Sequence, residues 1–364
     1  MKIGIITFHR AINYGAVLQT LGLQKALEQI NYDVEVIDYR CKQIEDDYKN
    51  FKIGSNVIKD LVKSTLLYSV RSRKKRKFEE FNNKYLNLSK DVYRTYEDLL
   101  KANNEYDVFI TGSDQVWDNK CAGFDKAYFL GFVEEPKKKN SYAASFSFGE
   151  IPNGMKDEYK KRLEDFNKIS VREEKGRKIF GELLSNEIRV DLDPTLLLKS
   201  EEWDKYASKN EEKEKYILLY NVNAPKNLFE YAEKLSKDTG YKIIYISDSP
   251  VKKINAEYRK GISPSDYLAL FKNAEYVLTN SFHGTVFSLM FEKKFIVELE
   301  SINGKVNHRS KNLLNMLNLD NRILDGLDNR NCYNQINYRE VNKILDRKRN
   351  ESIKYLREIV KNEN

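Results

Sequence analysis

YVLTNSFHGTVFSLMF, from Tyr276 to Phe291, decides how the rest of the chain is read. Tyr276 to Thr279 has the length and apolar character of a short buried strand ended by polar residues. From Gly284 onward, Val286, Phe287, Leu289, Met290 and Phe291 leave little polar face, which predicts an apolar helix. Asn280, Ser281, Phe282 and His283 therefore fall between a strand's C-terminal end and a helix's N-terminus. In an open α/β sheet, ligands bind outside those strand ends. The helix's first turn adds unpaired N–H groups and a positive dipole end, both suited to an anion. His283 is one of three histidines and can move a proton beside a bound anion. The plainer alternative has Asn280 or Ser281 capping the helix, Gly284 allowing close packing, and His283 inert.

Working outward, Lys2 to Thr7 (KIGIIT) reads as a first buried strand. A loop over Phe8 to Gly15 and a helix from about Ala16 to Ile30 follow, then a strand at Val34 to Tyr39. Strand, helix, strand within forty residues is a βαβ opening and implies a parallel sheet. The loop carries Asn13, Tyr14 and Gly15, yet it holds no GxGxxG fingerprint and no P-loop lysine. Its alternative is a plain turn and cap. Val108 to Ile110 returns to strand character and ends in TGSDQVW, with Asp114, Gln115 and Trp117 at the strand end. A carboxylate, an amide and an indole there suit a sugar; the alternative is an Asp cap and a core Trp. SYAASF (141–146), KISVR (168–172) and IRVDL (188–192) read as further strands, and Asp193-Pro194-Thr195 ends the first domain. Tyr216 to Val222, Lys242 to Ser247 and Phe295 to Leu299 are the other strands of the second half. Helices there are expected at Asn227 to Lys237, after Ser263-Pro264, and through Leu314.

The 364 residues allow two domains, expected at 1–198 and 199–330, with a charged C-terminal helix in 331–364 crossing back. Two βαβ-rich halves facing a cleft predict an α/β, GT-B-like architecture of two Rossmann-like domains. A basic helical insertion is expected near 45–100, where Arg71, Arg73, Lys74, Lys75, Arg76 and Lys77 precede Phe78, Phe81, Tyr85 and Leu88 at helical steps. Such a run can touch anionic lipid or be a solvated helix end packed on its own domain. The charge of +8, from 63 basic and 55 acidic residues, suits anionic substrates or a membrane surface as well as nucleic acid. Cys41, Cys121 and Cys332 form no zinc spacing and no disulfide framework, which fits a reducing compartment. MKIGIITFHR is read as a strand and not a signal peptide. No apolar run approaches the ~20 residues of a membrane span. The expected location is the cytoplasm, with room for peripheral contact at the inner face of the membrane.

Six motifs in order then narrow the reading: INYGAVLQ (12–19), ITGSDQVW (110–117), SYAASF (141–146), ISVRE (169–173), DPTLLL (193–198) and TNSFHGTVF (279–287). Together they resemble the polysaccharide pyruvyl transferase family, over residues 1 to about 320. The resemblance implies transfer of a carboxyvinyl unit from phosphoenolpyruvate to a sugar, forming a cyclic pyruvate ketal and releasing phosphate. It implies no cofactor, with phosphoenolpyruvate as co-substrate and a sugar or lipid-linked oligosaccharide as acceptor; no nucleic-acid partner is expected. The family's donor site uses an arginine on the first domain, matched by Arg172, and an Arg-Leu-His type triplet, whose histidine is matched by His283. Ser281 and Phe282 stand where the triplet has arginine and leucine.

The anionic donor needs cations and N–H donors. Asn280, Ser281, Gly284 and Thr285 are expected around it, with Arg309, in the loop after the next strand, replacing the missing arginine. His308 and Lys311 are the alternatives to Arg309, and a surface arginine starting a helix is the plain one. His283 is expected to donate a proton and Asp114 to act as general base. Asn13, Tyr14, Gly15, Gln19, Gln115 and Trp117 are expected on the acceptor side. No metal is expected. A nucleotide-sugar glycosyltransferase of the same fold and a non-catalytic carbohydrate-binding relative are the competing functions.

Overall fold

The computed structural model describes residues 1–49, 57–146, 150–299, 301–302, 305–306, 308–327 and 330–361. The chain divides into two compact units. Unit 1 takes Met1–Lys49, Glu79–Leu198 and Asp346–Asn364; unit 2 takes Asn50–Phe78 and Lys199–Leu345. The basic segment expected in the first domain thus goes with unit 2 as far as Phe78. Its lysines explain why: Lys74 Nζ lies 2.8 Å from Asp248 and Lys77 Nζ 3.0 Å from Asp266, while Arg73 donates to the Lys260 carbonyl at 3.1 Å. Residues of the expected C-terminal element up to Leu345 also belong to unit 2.

Unit 1 opens with β1 (Lys2–Ile6), α1 (Tyr14–Gln29) and β2 (Asp33–Tyr39). The chain continues through α2 (Lys42–Asp47), α3 (Val57–Tyr85), β3 (Leu88–Tyr93), α4 (Tyr96–Leu99), β4 (Val108–Thr111) and β5 (Lys139–Ser141). Then come α5 (Lys156–Leu163), β6 (Ile169–Val171), α6 (Glu174–Leu183) and β7 (Ile188–Val190). Five strands pair in the order β3-β2-β1-β4-β5, all parallel. The parallel β6–β7 pair is joined to β5 and its following loop by bridges from Asn140 to Lys168 and Ala144 to Val171. KIGII and VFIT are buried almost throughout, as parallel strands covered on both faces must be.

Unit 2 holds α7 (Ser200–Asp204), β8 (Tyr216–Tyr220), α8 (Leu228–Thr239), β9 (Lys242–Ile246), β10 (Glu257–Arg259), α9 (Pro264–Asn273), β11 (Tyr276–Thr279) and α10 (Phe282–Met290). After these come β12 (Lys294–Val297), the antiparallel pair β13 (Ser301–Ile302) and β14 (Lys305–Val306), α11 (His308–Met316) and α12 (Tyr338–Lys361). The sheet order is β10-β9-β8-β11-β12, again all parallel. Each unit is therefore Rossmann-like, with its first strand central and the strand order reversing beside it. Ile217, Leu219, Leu278 and Ile296 lie in the core of unit 2.

Four short strands, β3, β10, β13 and β14, were not expected, and the SYAASF strand stops at Ser141. There the backbone turns: Ala143 adopts φ 47° and its N–H donates to Ser170 Oγ at 3.2 Å. Among the described residues, no helix is long and apolar enough to cross a membrane.

Gly22 lets α1 press on the backbone of the Asp193-Pro194-Thr195 turn, since a Cβ there would stand 2.6 Å from the Pro194 carbonyl oxygen. Overpacking costs about 1–3 kcal/mol, more than the roughly 1 kcal/mol of helix propensity that alanine adds. Gly22→Ala is expected to unfold at a lower urea midpoint with an unchanged slope. A midpoint equal to wild type would mean the turn can move aside.

Candidate functional site

In unit 2 the strand order reverses between β8 and β11, so the loops after these strands flank the crevice where such sheets bind ligands. Asn280 ties the two loops together: its Oδ1 accepts the Val222 N–H at 2.9 Å and its Nδ2 donates to the Asn223 carbonyl at 3.2 Å. Thr279 Oγ1 accepts the Ser281 N–H at 3.0 Å, which turns the chain into α10. Ser281 is the helix N-cap, with extended backbone and its Oγ accepting the Gly284 N–H at 3.3 Å. The residue standing where the family pattern has arginine is thus a neutral cap. Thr285 Oγ1 donates back to the Ser281 carbonyl at 3.0 Å. Gly284 is required by packing, because a Cβ would lie 2.2 Å from Thr279 Oγ1. His283 follows in the first turn, 9% exposed, its ring edge-on to Phe282 at 5.2 Å.

A second helix terminus faces the same strand edge, and it is already filled. Glu298, just past β12, accepts the Lys226 N–H at 3.1 Å and the Asn227 N–H at 2.7 Å, immediately before α8. No acidic residue lies in the first turn of α10. Arg309 is half-buried in the first turn of α11, a helix packed on α10, and not in a loop. Lys311 is exposed; Asn307 and the side chain of His308 lie outside the described residues.

In unit 1 the reversal falls between β1 and β4. Asn13 caps α1 through Oδ1, which accepts from Gly15 at 2.9 Å and Ala16 at 3.3 Å. Tyr14 and Gly15 are buried in the first turn, and Gln115 is partly buried. Gln19 does not line an open surface. It is fully buried, with Nε2 donating to Thr7 Oγ1 and the Ala16 carbonyl, both at 2.9 Å. Trp117 is also corrected from acceptor lining to core. It is 0% exposed, with Nε1 on the Tyr128 carbonyl at 3.2 Å and its ring packed on Phe129, Phe166 and Phe180. Asp114 stays partly buried at the strand end and adopts φ 71°. Its carbonyl accepts the Ser145 N–H at 2.9 Å.

Arg172 has a different occupation from the one expected. Its guanidinium donates through Nε to Glu173 Oε1 at 2.9 Å, through NH1 to Asp193 Oδ2 at 2.7 Å, and through NH2 to Ser145 Oγ at 3.0 Å. Ser113 Oγ donates to Asp193 Oδ2 at 3.1 Å, and Thr195 holds Asp193 Oδ1 through its N–H at 3.0 Å and its hydroxyl at 2.5 Å. Burial works against the Arg172 charge, but Glu173, Asp193 and Asp114 more than offset it and raise its pKa. A cation this well compensated is a poor anchor for an incoming anion.

A cluster without a role in the sequence reading lies at the ends of β1 and β2. Buried Asp38 receives Arg10 in a bidentate pair, Nε at 2.7 Å, with His9 Nε2 and Arg40 Nε each 3.3 Å away. His9 Nδ1 also meets the Thr7 carbonyl at 3.2 Å. The signal was a His-Arg pair just after one predicted strand and an Asp near the end of the next. Among the described residues, no group of three or more His, Cys, Asp or Glu side chains is placed to hold a metal ion.

A model of the family described as polysaccharide pyruvyl transferase matches residues 13–298 of the chain. No curated protein matches it in sequence. Solved structures are similar in fold at low identity. A Methanocaldococcus jannaschii UDP-GlcNAc 2-epimerase in complex with UDP-GlcNAc and UDP aligns over 99% of both chains, at 17% identity and a TM-score of 0.51. Arabidopsis thaliana UGT89C1 complexed with quercetin aligns over 98% of this chain and 99% of its own, at 8% identity and a TM-score of 0.51. These likenesses bear on the fold alone.

The Asp38 cluster sets a pH dependence. Burial pushes the Asp38 carboxyl up, but hydrogen bonds from His9 and Arg10 outweigh it and hold the group well below the usual carboxylate range. Its stabilisation is complete above the ordinary carboxylate pKa of about 4 and is lost as pH falls through the depressed folded value. Asp38→Asn is expected to lose about 3–5 kcal/mol near neutral pH by leaving Arg10 buried without its counter-charge. The gap to wild type should narrow below about pH 4. Denaturation across pH checks both signs; a gap constant with pH would show that Asp38 acts through shape and not charge.

Proposed function

Because the chain belongs to the polysaccharide pyruvyl transferase family, we propose that it moves the pyruvyl unit of phosphoenolpyruvate onto two hydroxyls of a cell-surface polysaccharide or its precursor. The product is a cyclic pyruvate ketal and the leaving group is phosphate. The observation carrying this reading is the first turn of α10, where a neutral Ser281 cap and His283 meet at the switch point of unit 2. The helix end favours an anion electrostatically, and His283 adds an imidazole that can pass a proton to a group bound there.

The donor roles follow from that placement. Asn280, Ser281, Gly284 and Thr285 shape the turn that receives the phosphate or carboxylate. Protonated His283 delivers a proton to the methylene carbon or steadies the departing phosphate. Since Arg172 is held by Glu173 and Asp193, the second cation falls to Arg309 at the start of α11. On the acceptor side, Asp114 takes a hydroxyl proton as general base; Asn13, Tyr14, Gly15 and Gln115 border that strand edge.

Against a sugar-nucleotide donor stands Glu298, whose carboxylate occupies the terminus preceding α8. A diphosphate settling there would meet a tethered negative charge.

Incubation with phosphoenolpyruvate and a pool of lipid-linked and free saccharides should release phosphate and leave acid-labile pyruvate on the saccharide. Consumption of a sugar nucleotide instead would overturn the proposal. His283→Ala is expected to lower kcat by roughly 10²–10⁴, the usual worth of a positioned acid or base, with the fold intact by circular dichroism. Near-wild-type turnover in that folded variant removes His283 from the chemistry. Arg309→Ala should raise the donor constant, and adding Ser281→Arg should recover part of it; wild-type donor affinity in Arg309→Ala removes the replacement.

A further inference from the structure

We propose that Glu173 is a second catalytic carboxylate of unit 1, taking the proton of one of the two acceptor hydroxyls while Asp114 serves the other. The inference rests on the ketal-forming reading above and assigns a residue which that reading leaves without a role.

The argument begins with where the Glu173 side chain goes. Glu173 is the N-cap residue of α6, with extended backbone (φ −116°, ψ 138°), yet its side chain caps nothing. It turns instead to Arg172 and Ser145: Oε1 accepts the Arg172 Nε–H at 2.9 Å and the Ser145 hydroxyl at 2.7 Å. Oε2 is buried and meets no hydrogen-bond donor among the described residues. The side chain is 11% exposed. Leaving a buried acceptor unmade costs about 1–3 kcal/mol, more for a charged group, and such an oxygen in a native protein calls for an explanation.

Asp193 makes the contrast. It lies in the same network, but Oδ1 takes two bonds from Thr195 and Oδ2 takes bonds from Ser113 and Arg172. Asp193 is structural. Glu173 has one oxygen clamped and the other, among the described residues, without a donor, the arrangement a general base needs. The fixed oxygen sets the orientation, and the remaining lone pairs receive a proton. Glu173 also leaves the C-terminal end of β6, bridged parallel to the segment after β5, and so lies on the strand edge that carries Asp114. Asp114 is close enough to contribute to the raised pKa of Arg172. Arg172 and Ser145 are then positioning residues, which accounts for an arginine at the motif position that binds no donor itself.

The reaction has use for two bases. In the first step, a hydroxyl oxygen bonds to C2 of phosphoenolpyruvate, its proton passing to one carboxylate, while C3 gains a proton and becomes methyl. In the second step, the other hydroxyl oxygen bonds to C2 as the C2–O bond to phosphate breaks. Phosphate leaves with that electron pair, and the second hydroxyl's proton passes through the other carboxylate to it. Two O–H protons are lost; one equivalent ends on C3 and one on phosphate.

The test uses the full chain, phosphoenolpyruvate and the acceptor found by the phosphate assay. Glu173→Gln keeps an oxygen for Arg172 and Ser145 but removes the basic one. It should lower kcat by roughly 10²–10⁴, leave phosphoenolpyruvate binding within twofold by calorimetry, and make the acidic limb of the kcat/KM profile less steep, since Asp114 alone then titrates there. Formate added to Glu173→Ala should restore part of the rate, which a packing role would not allow. Wild-type kcat in Glu173→Gln, or a reduced kcat with an unchanged pH profile and no formate rescue, overturns the assignment. Absence of phosphate release from wild type with every acceptor would overturn the ketal-forming reading itself, and this inference with it.

Discussion

All the strand pairs in the two five-stranded sheets run parallel, and this constraint organises the rest. Parallel strands need crossover connections, so each strand of a sheet ends on the same edge and hands its chain to a loop or helix there. The backbone groups at these turns must find partners. The side chains that supply them are short and polar: Asn13 for α1, Ser263 for α9, Ser281 for α10. Polar residues therefore gather at strand ends for a structural reason before any functional one. A site at such an edge has to be recognised by groups that exceed what capping requires.

By that measure the two edges differ in what they offer. Beside β6 in unit 1, the Arg172 guanidinium has Glu173 and Asp193 in contact and Asp114 within electrostatic reach. Around that guanidinium negative charge is in surplus, which suits the withdrawal of protons from neutral hydroxyls and resists a phosphate. At the α10 terminus of unit 2 there is no acid in the first turn, and a histidine sits in it. That environment suits an anion and a proton donor. The proposed division into an acceptor-type and a donor-type edge is supported by the charge around these residues within each unit.

Much of the fold was legible because buried parallel strands are continuous apolar runs. KIGII, VFIT, YILLY, KIIYI and YVLT stand out from their neighbours and are strands in the structure. β3 (LSKDVY) and β10 (EYR) are edge strands with charged residues and offer no such run. The placement of the candidate residues at strand ends and helix starts was legible, and their contacts less so. Sequence can put Trp117 at a strand end, but an indole there has the same composition whether it faces solvent or, as here, Phe129, Phe166 and Phe180. Arg172 and Asp193 are twenty-one residues apart and form a buried pair only because β6 and β7 run side by side. The partner that takes the arginine's charge is a property of the sheet, invisible in the local motif.

The same reasoning separates the two helix termini of unit 2. Both α8 and α10 start just after strands that flank the switch point, β8 and β11, and both carry a positive dipole end. At α8 the N-cap residue, Asn227, supplies no side-chain cap, and the carboxylate of Glu298 fills the position with three N–H···O contacts of 3.1, 3.1 and 2.7 Å. A tethered carboxylate is present at high effective concentration, and a soluble anion must displace it before binding. At α10 a neutral hydroxyl makes one contact of 3.3 Å to the Gly284 N–H. A hydroxyl satisfies a donor without cancelling the field of the helix. Of the two termini, α8 carries a carboxylate and α10, among the described residues, only a neutral hydroxyl, and α10 is the one whose first turn contains His283.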